Sequence, residues 1–533
     1  MKRREVFRRR FPALGLAVTI ALGTGARTGS GATQAESAAD TIELRAKLSP
    51  AFADVDRLFQ EFATENHVPG AAWGIVIGGD LAHVGSVGFR DLTSKAPVDA
   101  DTVFRIASMT KSFTAMSIVK LRDEGKLSLD DAVERYVPEL KGLTYPTSDS
   151  PKITIRHLLS HSEGFPEDNP WGDRQLADTA EQMSEMLRGG IPFSNAPGVA
   201  YEYSNYGFAI LGRIVQNVSG VKYGDYVAAN ILRPLGMSST TLEPSTVPAG
   251  RLALGYRWED GKWKEEPLLS DGAFGPMGGM LTTTTDLSRY VAAFLSAWPP
   301  RDGPESAPIR RASLREMQQL SRPGVASVTR DASSGSLQLN AGGYGFGLAI
   351  SQTCNFRHVV SHGGGLPGFG SIMRWLPEYG VGLIAFGNLT YTGWSRVAAN
   401  AFDLLARTGG LQPRQPRPSP ALVQARDAVS RLIVGWDDQL ADAIAADNFF
   451  LDRSRERRRA DLQNVRATYG ACTPGNGFDV VENALRGQWT MTCERGKITA
   501  SITLAPTMPP KVQFLALRPA APGESPRRDA CGQ

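Results

Sequence analysis

Cysteine is scarce in this chain: four residues, Cys354, Cys472, Cys493 and Cys531, in 533. That excludes a small disulfide scaffold, although in an exported protein Cys472 and Cys493 could pair within the C-terminal region. Beside the six histidines, His67, His83, His157, His161, His358 and His362, no Cys-x-x-Cys arrangement occurs. No zinc site, metal or cofactor is therefore expected. A large charge of one sign is also lacking. The net charge is +4 with several positive charges in the first ten residues, so no nucleic-acid or anionic partner is expected. No stretch beyond the N-terminus is long and apolar enough to cross a bilayer, which takes about 20 residues. Gly-x-Ser-x-Gly is absent, and with it the support for a conventional α/β-hydrolase.

What is present begins with MKRREVFRRRFPALGLAVTIALGTGARTGSGATQA. A basic start, an apolar run from about Phe11 to Leu22 and the small residues Thr24-Gly25-Ala26 predict a secretory signal peptide and leader over residues 1–35. The mature protein is then expected to be secreted or periplasmic, with no membrane span. Arg3-Arg4-Glu5-Val6-Phe7 resembles a twin-arginine export signal, the alternative being a generic basic segment. Length predicts two or three folding units, and 42% hydrophobic with 21% charged residues predicts a soluble globular protein.

Residues 42–66 carry helical periodicity in Leu44, Leu48, Phe52, Val55, Leu58, Phe59 and Phe62. AAWGIVIGGDLAHVGSVGF reads as a hairpin around Gly78-Gly79-Asp80. The middle, roughly 108–340, is mostly helical pattern. SIMRWL and VGLIAFG then flank the turn Pro377-Glu378-Tyr379-Gly380, and a helix is expected from about Trp394 to Arg407. Strands at both ends with helices between predict an α+β (loosely α/β) fold: one sheet built from the N- and C-terminal parts, with a helical insertion on one side. This unit spans 42–411. QPRQPRPSP, residues 412–420, has four prolines in nine positions and reads as a semi-rigid linker. Residues 421–533 read as a small separate α+β unit, in which RERRR is a solvated helix face.

Two Ser-x-x-Lys patterns occur, Ser108 with Lys111 in RIASMTKSFTA and Ser219 with Lys222. Positions three apart share a helix face, so the Lys111 amine can reach the Ser108 hydroxyl. Phe113, Met116, Ile118, Val119 and Leu121 spread round the helix 108–124, which implies burial, and Gly125 is placed to end it. A serine at a helix N-terminus also sits among unpaired N–H groups suited to an oxyanion. Ser219-Gly220 instead reads as a helix end. YEYSNYGFAIL supplies Tyr203 and Asn205 just before another helix. A tyrosine of ordinary pKa near 10 serves as a base only beside positive charge, which Lys111 could provide. Asn205 can bridge the lysine and a substrate carbonyl, act as helix N-cap, or both. In VVSHGGGLPGFGSIM a strand becomes glycine-rich at His362-Gly363-Gly364-Gly365, where a ligand can lie against backbone N–H groups.

Taken in this order, the motifs resemble the penicillin-recognising serine hydrolases: class C beta-lactamases, serine D-Ala-D-Ala peptidases, D-aminopeptidases and related esterases. The resemblance covers about 50–410 and extends to KLSLDDAVERYVPEL, ITIRHLLSHSEGF, MGGMLTTTTDLSRY and YGFGLAI. It implies a beta-lactamase/transpeptidase-like fold with an antiparallel sheet. It also implies Ser108 as nucleophile, Lys111 as its helper and Tyr203 as general base and acid. Asn205, His362, Gly364 and Gly365 would bind substrate, and the oxyanion hole would be the N–H groups of Ser108 and Gly365. Acylation of Ser108 followed by water attack is the implied route on a small-molecule or peptide substrate.

The third motif departs from the Lys-Thr-Gly of beta-lactamases, since His362 and Gly363 replace the fixed charge and the hydroxyl. Weaker carboxylate recognition is expected, which favours an esterase or D-amino-acid peptidase over a beta-lactamase or D-Ala-D-Ala carboxypeptidase. If His362 titrates near 6.5, activity on carboxylate-bearing substrates should fall as pH rises past that value. A catalytically silent binding protein on the same scaffold is the alternative of another class.

Overall fold

The computed structural model describes residues 38–520 except 306, 331–334 and 336. The expected signal peptide and leader lie outside the described residues. Among the described residues no helix is long and apolar enough to cross a membrane.

The periodicity of 42–66 resolves into two helices, Ala38–Leu48 and α1 (Phe52–Glu65), separated by a 3-10 turn at Ser49–Ala51. Pro50 lacks the N–H that a continuous helix would use, which is why one expected element is two. Helix α1 buries Phe52, Val55, Phe59 and Ala63 along one stripe. The hairpin follows as read: β1 (Gly70–Ile77) and β2 (Asp80–Asp91) join through Gly78 and Gly79, both at positive φ, a conformation that suits glycine.

Near the other end of the unit lie β3 (Val359–Leu366), β4 (Phe369–Leu376) and β5 (Val381–Gly387). Strand β1 pairs antiparallel with β5, from Ala71 opposite Gly387 to Ile77 opposite Val381, so distant parts of the chain share one sheet. Its ten strands run Ala96–Pro97, β2, β1, β5, β4, β3, Ala349–Gln352, Leu337–Tyr344 and Arg322–Pro323, with Ser327–Arg330 also pairing on Leu337–Tyr344.

Every residue of β1 and β5 is buried, because helices cover both faces. Side chains alternate between two cores as the pleat requires. Ala71, Trp73, Ile75 and Ile77 face α1 and the helix Ser395–Arg407, whereas Ala72 and Val76 face the helical insertion. Trp73 stacks on Phe59 at 5.2 Å, and its indole N–H donates to Asp56 at 2.8 Å. The insertion is organised around α2 (Thr110–Asp123) and α3 (Asn205–Ser219), both packed on the helical turn Gly275–Gly278.

Residues 420–519 build a core of their own. The helix Pro420–Val434 covers a sheet ordered Cys472–Pro474, Arg486–Cys493, Gly496–Leu504, Val512–Pro519, with Val480–Asn483 also on Arg486–Cys493. Cys472 and Cys493 lie directly opposite and are disulfide-bonded. Three of the four RERRR arginines are engaged within this unit: Arg455 pairs with Asp438 and Asp442, Arg459 pairs with Asp438, and Arg458 lies 3.7 Å from the Phe449 ring centre. The proline-rich stretch is extended and anchored on both sides. The Arg414 N–H donates to Glu378 O at 2.6 Å, while Gln415 bonds Val481 N–H and Asp479 O. The described residues 38–520 belong to one compact unit, so the stretch separates two cores rather than two detached bodies.

Gly212 of α3 sets how closely α3 approaches the turn 275–278: a Cβ there would meet the Pro276 ring at 2.0 Å. Gly212→Ala should lower the unfolding temperature, because overpacking costs about 1–3 kcal/mol, outweighing the about 1 kcal/mol of helix propensity gained. Gly142→Ala, whose Cβ meets nothing within 4 Å, should be near neutral. Thermal unfolding of the two variants checks this; a Gly212→Ala protein as stable as wild type would contradict the packing account.

Candidate active site

Ser108 lies in a 3-10 turn, Ala107–Met109, between the short strand Phe104–Arg105 and the start of α2. Ala107 has φ +49°, unusual for a residue with a side chain, and that turn of the backbone presents Ser108 at the head of the helix. As expected, the helix is buried and ends at Gly125, whose φ is +72°. Lys111 is fully enclosed, and its Nζ lies 3.0 Å from Ser108 Oγ, 2.6 Å from Asn205 Oδ1 and 2.8 Å from Met277 O. Burial lowers its pKa to about 7 against the upward pull of Asp168, Asp173 and Glu167. The rival Ser219 is half-buried at the end of α3, next to the left-handed Gly220, as an ordinary helix terminus.

Tyr203 lines the cleft together with Ser108, and Lys111 Nζ sits 4.8 Å from its ring centre. Burial pushes the phenol well above its ordinary pKa, more than the Ser108 hydroxyl draws it down. A resting phenolate is therefore disfavoured. Asn205 turns inward to Lys111, so the expected N-cap role falls to Ser204, whose Oγ accepts the Gly207 N–H at 3.0 Å. The Asn205 Nδ2 donates to Asn169 Oδ1 at 2.6 Å, and Asn169 Nδ2 donates to Glu167 Oε1 at 2.8 Å. Since a carboxylate only accepts, Glu167 sets the direction of this relay and so turns the Asn205 oxygen toward Lys111.

The third motif lies on β3 along the same cleft. His362 is buried; its Nδ1 pairs with Gly363 O at 2.6 Å and its Nε2 with the Tyr344 hydroxyl at 2.7 Å. A carbonyl only accepts, so Nδ1 carries the proton and Nε2 accepts from Tyr344. Burial, with Lys111 nearby, depresses the His362 pKa to about 3. The imidazole is neutral throughout the working range, and the expected pH switch near 6.5 is withdrawn. Gly364 packs against the segment entering Ser108: a Cβ would meet Ile106 O at 2.2 Å. Ser108, Tyr203, His362 and Gly365 line one cleft of about 640 Å³, with Lys111 and Asn205 enclosed beneath it.

Several participants escaped the sequence reading. Asp168 accepts the N–H groups of Asn205 and Tyr206 at 2.7 and 2.8 Å, placing a carboxylate at the positive end of α3. His161 accepts the Ser204 N–H at 3.1 Å and packs its ring 4.3 Å from that of Tyr203. Burial and the nearby Lys111 hold its pKa well below 6.5, so it serves as a neutral brace. Asp173 and Tyr391 also line the cleft, joined by a hydrogen bond of 2.9 Å. The signal was present in EDNPWGDRQL, a loop rich in carboxylate and amide groups, but nothing local tells where it lies.

The Beta-lactamase family matches residues 55–408. Protein flp of Staphylococcus aureus (strain MW2) is 29% identical over 341 residues, 63% of this chain, and the chain spans 62% of the length of that relative. The octameric penicillin-binding protein homologue from Pyrococcus abyssi superposes with a TM-score of 0.56 at 21% identity, over 85% of this chain and 96% of that one. A class C beta lactamase from Rhodobacter sphaeroides does so at 0.51 and 21%, over 66% and 98%. These likenesses carry the antiparallel sheet with its helical insertion, and the family match spans all three motifs. The chain belongs to the beta-lactamase family of serine hydrolases.

Proposed function

We propose that the protein is an exported serine hydrolase that cleaves an ester or amide through an acyl-Ser108 intermediate, acting as an esterase or D-amino-acid peptidase. The observation that carries this reading is the set of partners around Lys111. Met277 O and Asn205 Oδ1 can only accept, so a neutral amine spends its two N–H groups on them. Its lone pair then faces Ser108 Oγ, 3.0 Å away. An amine with pKa about 7 holds that neutral form in a useful fraction at neutral pH.

Ser108 Oγ attacks the carbonyl carbon while its proton passes to Lys111. The N–H groups of Ser108 and Gly365 stabilise the oxyanion. As the intermediate collapses, the bond to the leaving group breaks, and the leaving atom takes a proton from the Tyr203 hydroxyl, which Lys111 restores. Water then attacks the acyl ester, gives a proton to the same amine, and releases the acid with Ser108 reprotonated. Neutral His362 supplies no fixed charge for a substrate carboxylate, which supports the esterase or peptidase reading over a beta-lactamase. Export rests on the basic and apolar opening of the chain; cell fractionation of the tagged protein tests it.

Intact-mass labelling with a fluorophosphonate and with a penicillin tests the reaction class. Wild type should take the fluorophosphonate; Ser108→Ala should take none and lose turnover by about a thousandfold or more; Ser219→Ala should label normally. Absence of any adduct on wild type would favour a silent binding protein, and rapid turnover of penicillin would favour the beta-lactamase reading.

The pH profile tests Lys111. A base whose pKa is lowered to about 7 must lose its proton to work, so log kcat/KM on a neutral ester should rise with unit slope below about pH 7 and level off above it. Lys111→Arg, permanently charged, should abolish this limb together with most activity. A flat wild-type profile from about pH 5 to 9 would contradict Lys111 as the base.

A further inference from the structure

We infer that Asp173 selects the substrate by pairing with a protonated amine, so that the hydrolase acts on esters or amides carrying a free amino group near the scissile carbonyl. The inference rests on Ser108 being the acylated residue.

Among the described residues the cleft above Ser108 is lined by no lysine or arginine side chain, and the carboxylate lining it is Asp173. That residue is 2% exposed, on the helical turn Trp171–Arg174. Its Oδ2 accepts the Tyr391 hydroxyl, and among the described residues it forms no ion pair. The nearest enclosed cation, Lys111, is turned to Ser108, Asn205 and Met277. Burial, with Asp168 nearby, raises the Asp173 pKa above its usual value against the pull of the Tyr391 bond, Lys111 and Arg174. A ligand ammonium would supply a cationic partner.

The other walls suit the same ligand. Tyr201, Tyr203, Tyr344 and Tyr391 line the cleft, and Tyr201 and Tyr391 keep 42% and 44% of their surface exposed. Aromatic faces attract a cation through their quadrupole, most strongly where water is excluded. His362, neutral and engaged at both nitrogens, offers no charge to an anion on the opposite wall. A carboxylate-bearing ligand would bring its charge toward Asp173 with nothing to offset the repulsion, whereas an ammonium meets a buried acceptor and aromatic rings.

Matched substrates read this directly. Ethyl esters and amides of phenylalanine are compared with those of phenyllactic acid, in which hydroxyl replaces the amine, in both enantiomers and by released acid. Wild type should prefer the amine by about tenfold or more in kcat/KM, the scale of a hydrogen bond to a charged group. Asp173→Asn should collapse that ratio whatever it does to the separate rates, and Asp173→Glu should restore part of it. A wild-type preference for the hydroxy compound, or an unchanged ratio in an Asp173→Asn protein that still labels with fluorophosphonate, would overturn the inference alone. Failure of wild type to label and to cleave any of the substrates would overturn the hydrolase reading and this one with it. Should Asp173→Asn not fold, the wild-type and Asp173→Glu ratios decide.

Discussion

The enclosed amine of Lys111 is the constraint around which the site is built. Removing an ammonium from water is costly, and the cost is usually met by ionised partners or by shedding the proton. Here the contacts are a hydroxyl, an amide oxygen and a backbone carbonyl, with carboxylates in a second ring. Desolvation and those carboxylates pull in opposite directions, and the balance falls near neutral pH. Each contact comes from a different part of the chain, so the site exists only when α2, α3 and the turn 275–278 are packed together.

That packing explains residues with no chemistry of their own. Gly212 lets α3 close on Pro276, next to the residue whose carbonyl holds Lys111. Gly207 makes room for Glu163: a Cβ would meet its Oε1 at 2.2 Å. Glu163 is fully enclosed, and burial raises its pKa well above 4.5 against the pull of the Glu163 and Ser162 backbone. Burial of this kind disfavours the charged form. Asp168, by contrast, accepts N–H groups at the start of α3, where a carboxylate is favoured.

Much of the fold was legible because its signals are local. The hairpin at Gly78-Gly79, the helix from Ser395 to Arg407 and the strands around Pro377–Gly380 follow from periodicity and turn residues. The break at Pro50 was missed by reading periodicity across a residue that interrupts the hydrogen-bond ladder. Among the site residues, Ser108 and Lys111 were legible because i and i+3 are neighbours on any helix. Tyr203 was placed, but its protonation state was not, since that depends on how much protein surrounds it. His362 was misjudged for the same reason: a free imidazole titrates near 6.5, whereas one enclosed beside Tyr344 and a lysine does not.

By itself, then, the sequence determined which groups do chemistry, because short spacings on a helix or strand are set by backbone geometry. It also placed strands at both ends of the 42–411 unit, from their apolar runs and the turn residues between them. Only the tertiary structure decided the electrical character of the site. Charge states depend on burial and on neighbours far along the chain, such as Tyr391 beside Asp173 or Asn205 beside Lys111. The same holds for the loop EDNPWGDRQL, whose residues acquire meaning only when folding lays them against the helix that begins at Asn205.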